Sequence, residues 1–152
     1  MKIYRLAKKE YINDFSGEGA RLYGGRWNLK GTPCFYASEN AAMCLLEFVV
    51  QYNKEALPFD AVMAEIELPD NLKVTEITPD ELPKNWNKVG ENYATQRFGT
   101  EFFNHFHNIG FKVPSVVTPY GYNYILNPHH KDFSKLKLVG EKSFILDDRI
   151  KD

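Results

Sequence analysis

Phe111-Lys112-Val113-Pro114-Ser115-Val116-Val117-Thr118, followed by Tyr122-Asn123-Tyr124-Ile125-Leu126, is the stretch on which the fold class turns. Both segments are short and rich in β-branched and aromatic residues, so they read as strands over Phe111–Thr118 and Tyr122–Leu126. Lys135–Val139 and Ser143–Leu146 read the same way further on. Working back toward the N-terminus, so do Lys2–Leu6, Cys34–Ala37, Phe59–Leu68 and Leu72–Ile77, with Pro69-Asp70-Asn71 as a turn. Two helices interrupt this series. One runs from Glu39 to about Lys54, with Ser38 as its N-cap and Pro58 as its stop. The other covers residues 91–108 and buries Phe98, Phe102, Phe103 and Phe106. Strands outnumber helices and do not alternate with them, which predicts the α+β class: a single domain, 1–152, with a mixed β-sheet flanked by helices.

The composition agrees with one globular unit. At 152 residues the chain can close a core without disulfides or metals, and 43% hydrophobic with 26% charged residues excludes a disordered chain. Nineteen Lys and Arg against 20 Asp and Glu leave a net charge of −1, which argues against nucleic-acid binding through bulk charge. Cys34 and Cys44 lack the paired spacing of a zinc site, so no metal is expected, and two free thiols suit a reducing cytoplasm. The start, Met1-Lys2-Ile3-Tyr4-Arg5, has no apolar signal core. The longest apolar run, Ala41 to Val50, is about half a bilayer span and is broken by Glu47, so no membrane segment is expected. Aromatic residues at 14% exceed what one core needs and raise the expectation of a homodimer.

Chemistry concentrates in a few places. Residues 13–33 hold five glycines and read as a long structured loop. Within it, Gly17 to Asn28 (Gly-Glu-Gly-Ala-Arg-Leu-Tyr-Gly-Gly-Arg-Trp-Asn) combines close-approach glycines with two fork-shaped donors, Arg21 and Arg26, suited to phosphate or carboxylate. It is neither a dinucleotide fingerprint nor a P-loop, and a glycine-rich turn with surface salt bridges explains it as well. Glu47 is the one charged residue between Asn40 and Gln51. Helical geometry puts it on a stripe with Asn40, Gln51 and Lys54, opposite Ala42, Leu45, Leu46 and Val49, so a solvated polar face competes with a site carboxylate. Period two puts Ser115 on the apolar side with Phe111, Val113 and Val117, where its hydroxyl serves either the backbone or a site. Pro114 marks an edge or a bulge. His105, His107, His129 and His130 lack zinc-helix spacing, and no serine nucleophile elbow occurs.

Several of these pieces fit one pattern. Gly17-x-Gly19-Ala20, Gly24-Gly25-Arg26-Trp27-Asn28, Gly31, Tyr36-Ala37-Ser38 and Ala42-x-x-x-Leu46-Glu47 resemble the RES domain family. Val113-Pro114-Ser115, Asn123-Tyr124-Ile125-Leu126-Asn127-Pro128 and His130 resemble its C-terminal half. The resemblance implies the toxin of a bacterial RES–Xre toxin–antitoxin pair, with an ADP-ribosyltransferase-like fold and NAD as substrate rather than as a prosthetic group. It implies Arg26, Tyr36, Glu47 and Ser115 as catalytic residues, and Arg21, Arg26, Tyr36 and Asn28 as contacts to NAD. Nicotinamide leaves its ribose as a neutral molecule, so such a site needs no general acid. It needs charge stabilisation of an oxocarbenium-like transition state and a grip on the pyrophosphate. Glu47 would serve the ribose, Arg26 the phosphate, Tyr36 would stack, and Ser115 would orient the amide or ribose. The acceptor is left open among phosphate, water and a protein side chain, with Arg21 as the candidate for a second anion site. The implied partner is an Xre-type helix-turn-helix antitoxin over the cleft between the Gly17–Asn28 loop and the helix of Glu47.

Overall fold

The computed structural model describes residues 1–51, 60–147 and 149–150. Within them lie strands β1 (Lys2–Lys8), β2 (Phe35–Ser38), β3 (Ala61–Glu67), β4 (Val74–Glu76), β5 (Gly110–Pro114), β6 (Tyr122–Leu126) and β7 (Lys137–Ser143). They form one mixed sheet in the order β4-β5-β6-β2-β1-β3-β7. Only β4 and β5 run parallel, and every other pair is antiparallel. The α+β class expected from the sequence is therefore the observed one.

Strand β2 joins the two halves of the sheet. Tyr4 of β1 faces Ser38 on one side, and β6 runs along the other from Phe35–Leu126 to Ser38–Asn123. Alternation then sorts side chains onto two faces. Ile3, Phe35, Ala37, Ala64, Ile66 and Leu126 build one core, closed by Phe15 and Phe133 at 5.0 and 5.7 Å from the Phe35 ring. The opposite face carries Phe111, Val113 and Ile125, covered by Trp27 and by helix α3 (Tyr93–His105). Asn92 caps α3 by accepting from the Ala94 and Thr95 amides. Gly99 lets the helix lie flat on the loop below, because a Cβ there would sit 1.9 Å from the Trp27 carbonyl oxygen.

Several expectations are corrected. The stretch 13–33 is not all loop: it contains a short helix, α1 (Glu18–Tyr23), entered through Gly17 at φ 70°. The helix after β2 is α2 (Ala41–Gln51), and its cap is Asn40, whose Oδ1 accepts from the Met43 amide at 2.8 Å. Ser38 is the last residue of β2 and spends its hydroxyl elsewhere. The expected continuation to Lys54, the stop at Pro58 and the strand start at Phe59 lie outside the described residues. The strand expected over Phe111–Thr118 ends at Pro114, which has no N–H to continue the ladder. Phe106 is not buried: it is 57% exposed, just past the end of α3. One strand, β7, replaces the two expected near the C-terminus, bridged by a register shift opposite Glu65 and Ile66.

The largest correction concerns the faces of α2. Met43 and Cys44 are buried, whereas Leu46 and Val50 are 38% and 53% exposed. The stripe that looked apolar is not the packed one, and Glu47 turns toward the sheet.

Candidate active site

Glu47 meets the sheet where β5 and β6 end. Ser115 follows Pro114 directly, and its amide donates to the Gly121 carbonyl at 2.7 Å, closing a tight loop. Gly121 packs under Met43 there, and a Cβ would come within 2.2 Å of the Met43 sulfur and push that side chain aside. The Ser115 hydroxyl accepts from the amides of Val117 and Thr118, which leaves its one proton to donate to Glu47 Oε1 at 2.6 Å. Asn123 Nδ2 donates to the same oxygen at 2.5 Å. On its other side, Asn123 Oδ1 accepts from Ser38 Oγ at 2.8 Å. Glu47 is half-buried and Ser115 is 3% exposed.

Tyr36 lies on the same sheet face as Ser38 and Asn123, by the period of β2 and its register with β6. Its hydroxyl accepts from the Trp27 amide at 3.0 Å and donates to Asn28 Oδ1 at 2.7 Å. Burial, reinforced by the Cys34 thiol, pushes the phenol well above its ordinary pKa, against a smaller opposing pull from the Arg26 charge. The hydroxyl is thus committed and protonated, so Tyr36 offers a site its ring rather than a proton. A Cβ on Gly25 would stand 2.6 Å from that hydroxyl, which explains one of the paired glycines.

The remaining candidates separate. Asn28 is fully buried, and its Nδ2 donates to the carbonyls of Ala20, Leu29 and Thr32. It ties α1, the following turn and Tyr36 together, and its side chain has nothing left to offer a ligand. Arg26 is half-buried, and its Nη1 donates to the carbonyls of Trp86 and Lys88 at 3.2 and 3.0 Å, beside Tyr36. Arg21 points the other way, in a two-pronged exposed pair with Glu18 at 2.6 and 2.7 Å. His130 holds its own turn, with Nδ1 accepting from the Asp132 amide and Nε2 at 2.8 Å from the His107 carbonyl.

The structure therefore brings Glu47 and Ser115 into contact and places Tyr36, with Arg26 beside it, on the same sheet face. It leaves Arg21 outside and turns Asn28 into scaffolding. Sequence reasoning missed Asn123 and misplaced Ser38. The available signal was the one that flagged Ser115, a polar residue on the inner face of a strand. A depression of about 230 Å³ lies against α2 near Met43, Leu46, Thr118 and Tyr120, but none of the four expected catalytic residues lines it. Among the described residues, no helix is long and apolar enough to cross a membrane.

Comparison with known proteins identifies the family. A curated protein of Photorhabdus laumondii named Toxin Res is 37% identical over 152 residues, covering 99% of this chain and 97% of its own. Another Toxin Res, from Yersinia enterocolitica, is 32% identical and covers 99% and 100%. A Sphingobium protein named Prs ADP-ribosylating toxin is 34% identical, covering 95% and 91%. Among solved structures, the M. tuberculosis MbcT–MbcA toxin–antitoxin complex matches with a TM-score of 0.76 at 22% identity, over 94% of this chain and 83% of that one. The RES domain profile matches residues 2–147, and this chain belongs to the RES domain family.

Proposed function

We propose that this chain is the toxin of a toxin–antitoxin pair and that it cleaves the nicotinamide–ribose bond of NAD, by phosphorolysis or hydrolysis. The observation that carries the reading is the Glu47 carboxylate, turned inward from a helix that could have solvated it and held at one oxygen by Ser115. A fixed negative charge is what an oxocarbenium-like transition state requires, and nicotinamide leaves without a proton donor. The Tyr36 ring supplies a stacking surface. Arg26 supplies paired donors for the pyrophosphate once they exchange the Trp86 and Lys88 carbonyls for phosphate oxygens. The family membership, the toxin names of the relatives and the fold shared with a toxin from a toxin–antitoxin complex support the biological role. An NAD-consuming enzyme in the cytoplasm harms its own cell unless restrained, so an antitoxin of the Xre helix-turn-helix type is the expected partner. With a net charge of −1 on this chain, DNA contact by the pair would fall to that partner.

The name of the Sphingobium relative favours a second reading, transfer of ADP-ribose to a protein side chain. One experiment separates the two. Purified protein is incubated with NAD, with and without inorganic phosphate, and both small molecules and proteins are weighed by mass spectrometry. Phosphorylated ADP-ribose appearing only with phosphate marks phosphorolysis, and free ADP-ribose marks hydrolysis. An ADP-ribose mass gain on an added cell-extract protein marks transfer, and NAD left intact in every arm overturns the proposal.

A further inference from the structure

Glu47 would be a poor electrostatic partner if its carboxylate were free to rotate, because a side chain with three torsions spreads its charge over several ångströms. What stops it is asymmetric. Ser115 and Asn123 both donate to Oε1, and no described residue donates to Oε2. One oxygen is satisfied, and among the described residues the other has no donor.

We propose that Asn123, itself fixed by Ser38, is the positioning residue that holds Glu47 in this orientation. The inference rests on the NAD-cleaving reading above and adds the group that sets its geometry. An asparagine amide can turn either end toward a carboxylate, and only the nitrogen end attracts it. The acceptor-only Glu47 carboxylate takes the Nδ2 end, and the Ser38 hydroxyl completes that orientation by donating to Asn123 Oδ1. Ser38 and Asn123 are direct cross-strand partners in β2 and β6, and Asn123 is flanked on its other side by Val113 of β5. The donor thus stands on a strand paired on both sides, whereas Glu47 arrives on a helix with an exposed outer face. The substrate class that fits Oε2 is a vicinal diol such as a ribose, whose hydroxyl donates to the open oxygen while the charge stays aligned with the developing cation.

The test is a pH series on two variants with NAD consumption as the readout. Asn123→Asp replaces the donor by a carboxylate of the same shape. At pH 7 it faces Glu47 with like charge, and kcat is expected to fall at least about a hundredfold with KM within about threefold. Near pH 5 the pair shares a proton, a donor is restored, and the deficit relative to the native protein should shrink about tenfold. Ser38→Ala frees the amide and should lower kcat about fivefold with KM nearly unchanged, at a cost of a few degrees in thermal midpoint and with the protein still folded at the assay temperature. A deficit in Asn123→Asp that is equal at all pH values, or a native kcat in either variant, overturns the positioning role. Should Asn123→Asp fail to fold, the kcat of Ser38→Ala decides alone. A native protein inert toward NAD would instead remove the reading on which this inference rests, an outcome distinct from active native protein with indifferent variants.

Discussion

On the α2 side of the site, Ser115 and Asn123 direct two donors at one oxygen of Glu47 and leave the other without a partner among the described residues. On the glycine-rich side, Asn28 and Tyr36 satisfy one another and four backbone groups, and nothing polar of theirs is left over. The two walls follow opposite rules. One holds a charge with part of its hydrogen-bonding capacity in reserve, which is how a group is kept available to a substrate. The other pairs the polar groups of Asn28 and Tyr36 completely, which is how a glycine-rich loop with little apolar mass of its own is kept in place. Substitutions on the first wall should therefore change rate at constant stability, and those on the second should change stability first.

The sharpest test of that division is Glu47→Gln. Removing a preorganised charge that acts on the transition state costs about a hundredfold to a thousandfold in turnover. The shape and one acceptor oxygen persist, so the thermal midpoint should move little. NAD turnover within about threefold of native would return Glu47 to a structural role and collapse the distinction between the walls.

Asn28→Ala probes the other wall. It removes the side-chain donor from three carbonyls, of which Ala20 and Leu29 keep a backbone amide, so the Thr32 carbonyl and the Tyr36 proton are left unpaired beside a fully buried position. Buried groups left unpaired cost about 1–3 kcal/mol each before relaxation, so a total near 3 kcal/mol is expected. For a chain of this size that lowers the thermal midpoint by about 6–12 °C, measurable by calorimetry. A drop under about 2 °C would mean that the loop does not depend on its asparagine. Tyr36→Phe removes one hydroxyl and leaves the Trp27 amide and Asn28 Oδ1 without it, so a loss of about 2 kcal/mol is expected. Turnover should stay within about threefold if the ring, rather than the hydroxyl, is what meets the substrate. A hundredfold loss at unchanged stability would give Tyr36 to the first wall.

How much of this was legible beforehand follows from the same contrast. The strands were readable because period two and β-branched content are local properties, and all seven observed strands overlap expected ones. Helix α1 was hidden because Gly17-Glu18-Gly19 carries the punctuation of a loop, yet Gly17 serves as its left-handed entry. Faces of α2 were misjudged because hydropathy assigns the polar stripe to water, while Ser115 and Asn123 had already placed polar partners on the sheet. Those partners lie 68 and 76 residues away, beyond the reach of any periodicity argument. Ser38 shows the same limit on a small scale. A serine before a helix is an ordinary cap signal, but the strand partner Asn123 took its hydroxyl, and Asn40 caps instead. Glu47 and Ser115 could be singled out from the residues, but that they touch could not.

Arg21 gives the mildest prediction and the one that tests where the site stops. Its guanidinium donates through Nε and Nη2 to both oxygens of Glu18, one helical turn away, and the two side chains are 40% and 47% exposed. The pairing raises the Arg21 pKa and lowers that of Glu18, so each charge is already answered by the other. Exposed pairs of this kind contribute little because water screens them. Arg21→Ala should therefore leave the thermal midpoint within measurement error and the KM for NAD within about twofold. The informative arm varies phosphate at saturating NAD. If phosphate is the acceptor and Arg21 does not hold it, its KM is likewise unchanged. A rise of fivefold or more in the phosphate KM, with NAD kinetics intact, would show that Arg21 leaves Glu18 to bind the acceptor. The glycine-rich wall would then hold a reserve of its own, and the contrast between the two walls would fail at that point.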